Sequence, residues 1–259
     1  MSDARGTISM TITGGIVGIA TMLVLVGGTV EAQTPTPARG GPGGASSTIA
    51  RDISGFWALS LDGRKVPPAK LLPRVTKAML DLHARQDIHA IRWCNPVGLP
   101  LMMDSGAIDI RQGPTTIFMA PESSLVPRYV YLNRKHVSAD IYDPSTSGDS
   151  VGSWEGDTLV VDTIGFHPTH GVTSIPGGGF RTDKTHLVER YRLVENGEVL
   201  SVRFTWTDPT VFSAPHTYEF RYRRLPPTYE AVSMWPCDPY NQERAQFLGD
   251  PAPFRTGKQ

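Results

Sequence analysis

The chain has 259 residues and carries 25 basic against 25 acidic side chains, so its formal net charge is zero. A neutral balance supplies no long-range field to recruit nucleic acid or an anionic membrane surface. Gly (26) and Pro (22) make up almost a fifth of the residues, which favours short strands joined by turns over a helical bundle.

The N-terminus reads as an address rather than as part of a fold. Arg5 provides a sparse positive region, Ile16 to Gly28 is apolar, and Val30 and Ala32 stand where a signal peptidase requires small residues. The apolar run is shorter than the roughly 20 residues of a spanning helix. These features predict a signal peptide over 1–32 and a periplasmic or secreted protein, free of the membrane after cleavage. Positions 33–50 (QTPTPARGGPGGASSTIA) predict a flexible linker, and 51–259 a single β-rich domain.

Only Cys94 and Cys237 are present. In an oxidising compartment two cysteines in similar Pro-flanked settings suggest one disulfide. A loop that long is stabilised by roughly 4–5 kcal/mol in the chain-entropy model. A reactive thiol or a metal pair lacks supporting spacing.

From Arg51 the chain reads as follows. Ile53 to Ser60 predicts a strand, and Pro67-Pro68 breaks it. Val75, Met79 and Leu82 recur at helical spacing between Arg74 and Gln86, with Lys77, Asp81 and Arg85 opposite, predicting one amphipathic helix. His83 and His89 near its end are expected on the solvent side. Ala107–Arg111, Thr115–Ala120 and Arg128–Asn133 follow as strands. Thr158–Ile164 is apolar or β-branched on both faces, which predicts a covered central strand. Asn196-Gly197 predicts a hairpin between Leu187–Leu193 and Val199–Trp206. His216–Arg223 alternates Tyr218, Phe220 and Tyr222 against charged residues. Roughly eight strands of this kind predict a single antiparallel β-barrel or strongly curved sheet, lipocalin-like, with one helix. A β-sandwich is the alternative.

Strand parity sorts the polar residues. Glu189 shares a face with Leu187, Tyr191 and Leu193; if that face is interior, desolvation tunes its carboxyl for acid–base work. The competing reading is a structural ion pair with an arginine from a neighbouring strand. His186 and Arg190 lie on the opposite parity, as a base and an anion holder if that face is the interior one. His216, with Trp206, Phe220 and Tyr222, is expected near the mouth of an aromatic-lined interior that binds a small molecule. Its competing reading is a hydrogen-bonded histidine in an aromatic cluster. His167, His170, Asp183 and His186 form a weak metal set in a Gly-rich loop. Nucleophile elbows, P-loops and dinucleotide fingerprints are absent.

SVGSWEGDTLVVDTIGF (150–166), the later Asp183-x-x-His186-x-x-Glu189-Arg190, Asp208-Pro209, and Cys94-Asn95-Pro96-x-Gly98-x-Pro100 with Cys237 resemble a large group of exported bacterial proteins of uncharacterised function. The resemblance spans roughly Ile53 to Gln242 and implies export and the extent of the domain. It carries no activity, cofactor or site residue with it. Asp149 stands where the group often has histidine, and His216 where it often has tryptophan.

The sequence therefore favours an enzyme performing cofactor-independent acid–base chemistry, of isomerase, lyase or hydratase type, on a small apolar or glycosidic molecule. Catalytic candidates are Glu189, His186, Asp183 and Arg190. Alternatives are a non-catalytic small-molecule carrier and a metal-dependent hydrolase. All three imply a small-molecule partner, and the first requires Asp183, His186, Glu189 and His216 to meet in one cavity.

Overall fold

A computed structural model of the protein describes residues 51–62, 64–104, 106–124, 126–138 and 140–230. The signal-peptide and linker expectations, and Cys237, lie outside these residues. Nine strands follow in chain order: β1 (Gly55–Ser60), β2 (Ala107–Gln112), β3 (Thr116–Pro121), β4 (Arg128–Leu132), β5 (Asp149–Glu155), β6 (Thr158–Ile164), β7 (His186–Val194), β8 (Val199–Thr207) and β9 (His216–Arg224). Each pairs with the next, and β9 returns to β1, so the sheet closes as a barrel. The period-two alternation read in the sequence sets the faces. Leu187, Glu189 and Tyr191, then Leu200, Val202, Phe204 and Trp206, then Tyr218, Phe220 and Tyr222, all point inward and are buried. The β6 strand is covered on one face only: Leu159, Val161 and Thr163 are buried while Ile164 is exposed.

Closure imposes one departure from the antiparallel pattern. Every antiparallel contact reverses strand direction, so a ring of nine strands needs at least one parallel contact to close. That contact is β4 with β5, in register Val130↔Ser150. A parallel pair requires the chain to travel back along the barrel before re-entering the sheet. The segment 133–148 makes this return.

The end of the barrel where β1, β6 and β8 finish and β7 and β9 begin is capped by the connections between strands. The one α-helix among the described residues, α1 (Lys77–Arg92), is capped by Thr76, whose side chain accepts from Met79 N at 3.3 Å. It turns Asp87 and Ala90 inward and leaves Met79, Leu82, Ile88 and Ile91 exposed, so Met79 and Leu82, expected against the sheet, face solvent along with Lys77 and Arg85. The reason is polar: Asp87 accepts from Thr173 N (2.6 Å), Thr173 Oγ1 (3.1 Å) and Ser174 N (3.1 Å). His83 is correspondingly not solvent-side. It bonds Thr173 Oγ1 at 2.8 Å and stacks on Phe180 at 3.9 Å, and burial lowers its pKa. Arg181, fully buried, donates to the carbonyls of Val172, His167 and His170 and so pins this loop; burial brings its pKa down to about 10.

Side chains fill the barrel interior. Trp57, Trp206, Tyr191, Tyr222, Phe204 and Met119 are all essentially without exposure. Among them lies an ion pair. Arg128 reaches inward from β4, and its Nη1 and Nη2 donate to Glu189 Oε1 (2.9 Å) and Oε2 (2.5 Å) on β7. Ser150 and Thr163 take its remaining hydrogens at 2.9–3.1 Å, and Tyr191 donates to Glu189 Oε1 at 2.7 Å. Burial works to strip the charge from Arg128, but Glu189 and Tyr191 outweigh it and hold the guanidinium protonated. Removing one member of a buried pair costs about 3–5 kcal/mol, because the other is left charged and unpaired. Urea unfolding should show such a loss in Glu189→Gln, and most of it should return when Arg128→Met is added. An E189Q protein as stable as the parent contradicts this account.

Candidate functional site

The expected meeting of Asp183, His186, Glu189 and His216 in one cavity does not occur. Glu189 faces the barrel axis with 0% exposure and is fully engaged by Arg128, a residue across the barrel rather than on an adjacent strand. Asp183 pairs with its neighbour Lys184 at 2.8 Å, with both side chains more than half exposed. Arg190 holds Glu155 on the outer wall at 2.6 Å. His216 is buried, bonded to the Pro176 carbonyl at 2.6 Å and packed against Phe212 and Tyr218. It is a hydrogen-bonded histidine in an aromatic cluster. Trp206, Phe220 and Tyr222 are packed into the filled interior, with Trp206 Nε1 donating to Tyr218 Oη and Tyr222 to the Met103 carbonyl. The candidate metal set is not gathered either. His167 and His170 stack on each other at 3.6 Å, the His167 Nδ1 lone pair accepts from the Thr169 and His170 backbone, and His186 is turned elsewhere. Among the described residues no three His, Cys, Asp or Glu side chains are placed to hold a metal.

His186 instead joins a polar chain on the outer wall. Asp162 stands on the outward parity of β6, opposite Val151 on β5 and Val188 on β7. Its diagonal neighbours on those strands are Asp149 and His186, the second-closest positions across a sheet. The return segment 133–148 then lays Arg134 and His136 over this row. Asp149 is buried beneath it and accepts from Val137 N at 2.9 Å and from Arg134 Nη2. His136 bridges the carboxylates, Nδ1 to Asp149 Oδ2 and Nε2 to Asp162 Oδ1, both at 3.0 Å. The same Asp162 oxygen meets His186 Nε2 at 2.9 Å.

Both ring nitrogens of His136 face carboxylate oxygens. Burial alone would raise the Asp149 carboxyl, but Val137 N–H, His136 and Arg134 outweigh it and keep it below the usual carboxylate range. His186 differs from His136. Its side chain is 41% exposed, Asp162 is 42% exposed, and His186 Nδ1 has no hydrogen-bond partner among the described residues. With Nε2 bonded to Asp162, Nδ1 is the ring nitrogen left without a partner among the described residues, the arrangement of an oriented general base backed by a carboxylate.

Sequence reasoning found His186 and marked Asp149 as unusual, but missed Arg134, His136 and Asp162. Asp162 was hidden by reading β6 as covered on both faces, whereas parity alone puts it opposite Leu159, Val161 and Thr163. His136 lies in a segment without periodicity, and only the parallel pairing of β4 with β5 brings it back to the strand row. No protein-family model matches the sequence, and no curated protein matches it.

A second carboxylate, Asp208, is likewise held low: burial opposes, and Thr182, Thr210 and Thr185 hydroxyls outweigh it. Depressed carboxylates stabilise the fold fully above their unfolded value near ~4, and this contribution disappears as pH falls through their lowered folded values. Urea midpoints should therefore fall steeply below pH 4, beyond the smaller loss that begins between pH 7 and 5 as the unfolded chain, but not the buried His83, takes up a proton. Asp208→Asn and Asp149→Asn should be less stable at pH 7 and show a shallower acid slope. An acid slope unchanged in both variants contradicts the assignment.

Proposed function

We propose that the protein is an exported enzyme that moves protons without a cofactor, with His186 as the catalytic base and Asp162 as its orienting carboxylate. The observation that carries this reading is the single oxygen, Asp162 Oδ1, bonded to Nε2 of both His136 and His186 while His186 Nδ1 stays open. In the first step His186 Nδ1 takes a proton from the carbon beside a substrate carbonyl; the C–H pair becomes a carbon–carbon π bond while the carbonyl π pair moves onto oxygen. Asp162 stabilises the imidazolium so formed, as a carboxylate does behind a catalytic histidine. The carbonyl then re-forms, and the carbon–carbon π pair either takes the proton back from His186 at a new position, an isomerisation, or expels a β-hydroxyl, which leaves with its C–O bonding pair and the His186 proton as water, a dehydration. A half-exposed base does not exclude water, so addition or elimination of water suits this wall better than chemistry that needs a dry pocket. The substrate class remains a small apolar or glycosidic molecule.

Export completes the reading. It is supported by the Arg5, Ile16–Gly28, Val30/Ala32 pattern, by the resemblance to exported proteins, and by the two cysteines, proposed as a Cys94–Cys237 disulfide. No free cysteine occurs among the described residues.

Proton abstraction can be tested with simple probes. A panel of small ketones and β-hydroxy carbonyl compounds is incubated with the protein in deuterium oxide, and loss of the α-proton signal is followed by proton NMR. The native chain should exchange at least one class faster than buffer, and His186→Gln should lose about 10²–10⁴-fold of that rate, the usual contribution of a positioned base. Asp162→Asn should lose activity through misorientation of His186, while the melting temperature of both variants stays close to the parent. Exchange by H186Q at the native rate, or no exchange above buffer across the panel, overturns the proposal.

A further inference from the structure

At the capped end of the barrel a cavity of about 410 Å³ opens between three connections. The segment after β1 contributes Arg64 and Val66, the turn before β2 contributes Pro100, Leu101 and Asp104, and the loop pinned by Arg181 contributes Val172 to Gly177. Its volume is within the range of small-molecule sites, and its walls are mainly apolar, with Val172 and Ile175 buried. It is separate from the His186 row and does not depend on the function proposed above.

The charged side chains in this cavity are two, and they are incompletely satisfied. Arg64 lies flat over the Phe220 ring, Cζ 4.4 Å from the centroid, and so covers the aromatic end of the filled interior. Its Nη2 is 2.5 Å from Asp104 Oδ1, with side-chain exposures of only 27% and 15%. That approach is not aligned as a hydrogen bond, and Asp104 Oδ1 is buried without a hydrogen-bond partner. Arg64 makes no side-chain hydrogen bond to any other described residue. Burial raises the Asp104 carboxyl despite the cation beside it.

We infer that this cavity binds a small zwitterion with an apolar body, an apolar α-amino acid, whose ammonium group completes Asp104 and whose carboxylate takes the free N–H groups of Arg64. Charge balance selects this class. A simple anion would compete with Asp104 for Arg64, and a simple amine would compete with Arg64 for Asp104; either leaves a net charge in a poorly solvated site. A zwitterion matches both charges and stays neutral. Val66, Pro100, Val172 and Ile175 then accept its hydrocarbon side chain.

Isothermal titration and thermal shift with L-leucine and L-phenylalanine test this. Glycine tests the apolar body, 4-methylpentanoate lacks the ammonium, and 3-methylbutylamine lacks the carboxylate. The expected result is binding of leucine or phenylalanine, with glycine and both single ions at least tenfold weaker. Val66→Trp fills the cavity without touching the charges and should abolish binding at unchanged unfolding temperature. Asp104→Asn serves as a second variant and should weaken the amino acids at least tenfold. No binding of either amino acid, equal binding of the single ions, or native binding by V66W and D104N overturns the inference.

Discussion

A closed ring of nine strands cannot be antiparallel throughout, and the rest of the structure follows from where the single parallel contact falls. Placed between β4 and β5, it obliges the chain to run back over the outer wall through 133–148. That return brings Arg134 and His136 onto a surface where Asp149, Asp162 and His186 already stand in a diagonal row. Backbone topology, rather than proximity in sequence, assembles the imidazoles and carboxylates.

The barrel separates its ionisable groups by the work that each environment permits. Inside, Arg128 and Glu189 exchange both carboxylate oxygens for a guanidinium fork, and Ser150, Thr163 and Tyr191 satisfy what is left. A pair so completely engaged in a water-free core has no open lone pair to offer a substrate, and breaking it carries a large desolvation cost. Outside, His186 is fixed at one nitrogen and open at the other. The same residue types therefore serve cohesion on one side of the sheet and stand half-exposed in a polar row on the other, and a side chain's parity decides which.

Much of the fold was legible in the sequence because a half-buried strand states its period plainly. Leu200, Val202, Phe204 and Trp206, and Tyr218, Phe220 and Tyr222, face inward as their alternation requires. Asn196-Gly197 turns the β7–β8 hairpin, with Asn196 at φ 56°. The helix was found but its buried face was not, since periodicity rewards apolar residues whereas the Asp87 carboxylate, capping the Thr173 and Ser174 amides, decides the docking. Parity grouped Glu189 with Leu187 and Tyr191 but did not say which face is interior, and its partner was not identifiable, because Arg128 sits across the barrel and nothing local links 128 to 189. The outer site was the least legible. Its key histidine occupies a segment whose position depends on a pairing between distant strands, and parity alone does not reveal which strands are neighbours.

The central claim is that the return segment holds His136 between Asp149 and Asp162 and so fixes His186 with an open nitrogen. Nitrogen-15 NMR of the imidazole rings at neutral pH tests it most directly, by reporting which nitrogen of each ring bears a proton. The expected result is Nε2, not Nδ1, as the proton-bearing nitrogen that His186 turns to Asp162, with both the His136 and His186 rings perturbed by Asp162→Asn. A His186 protonated at Nδ1, or a His136 ring indifferent to D162N, would contradict it.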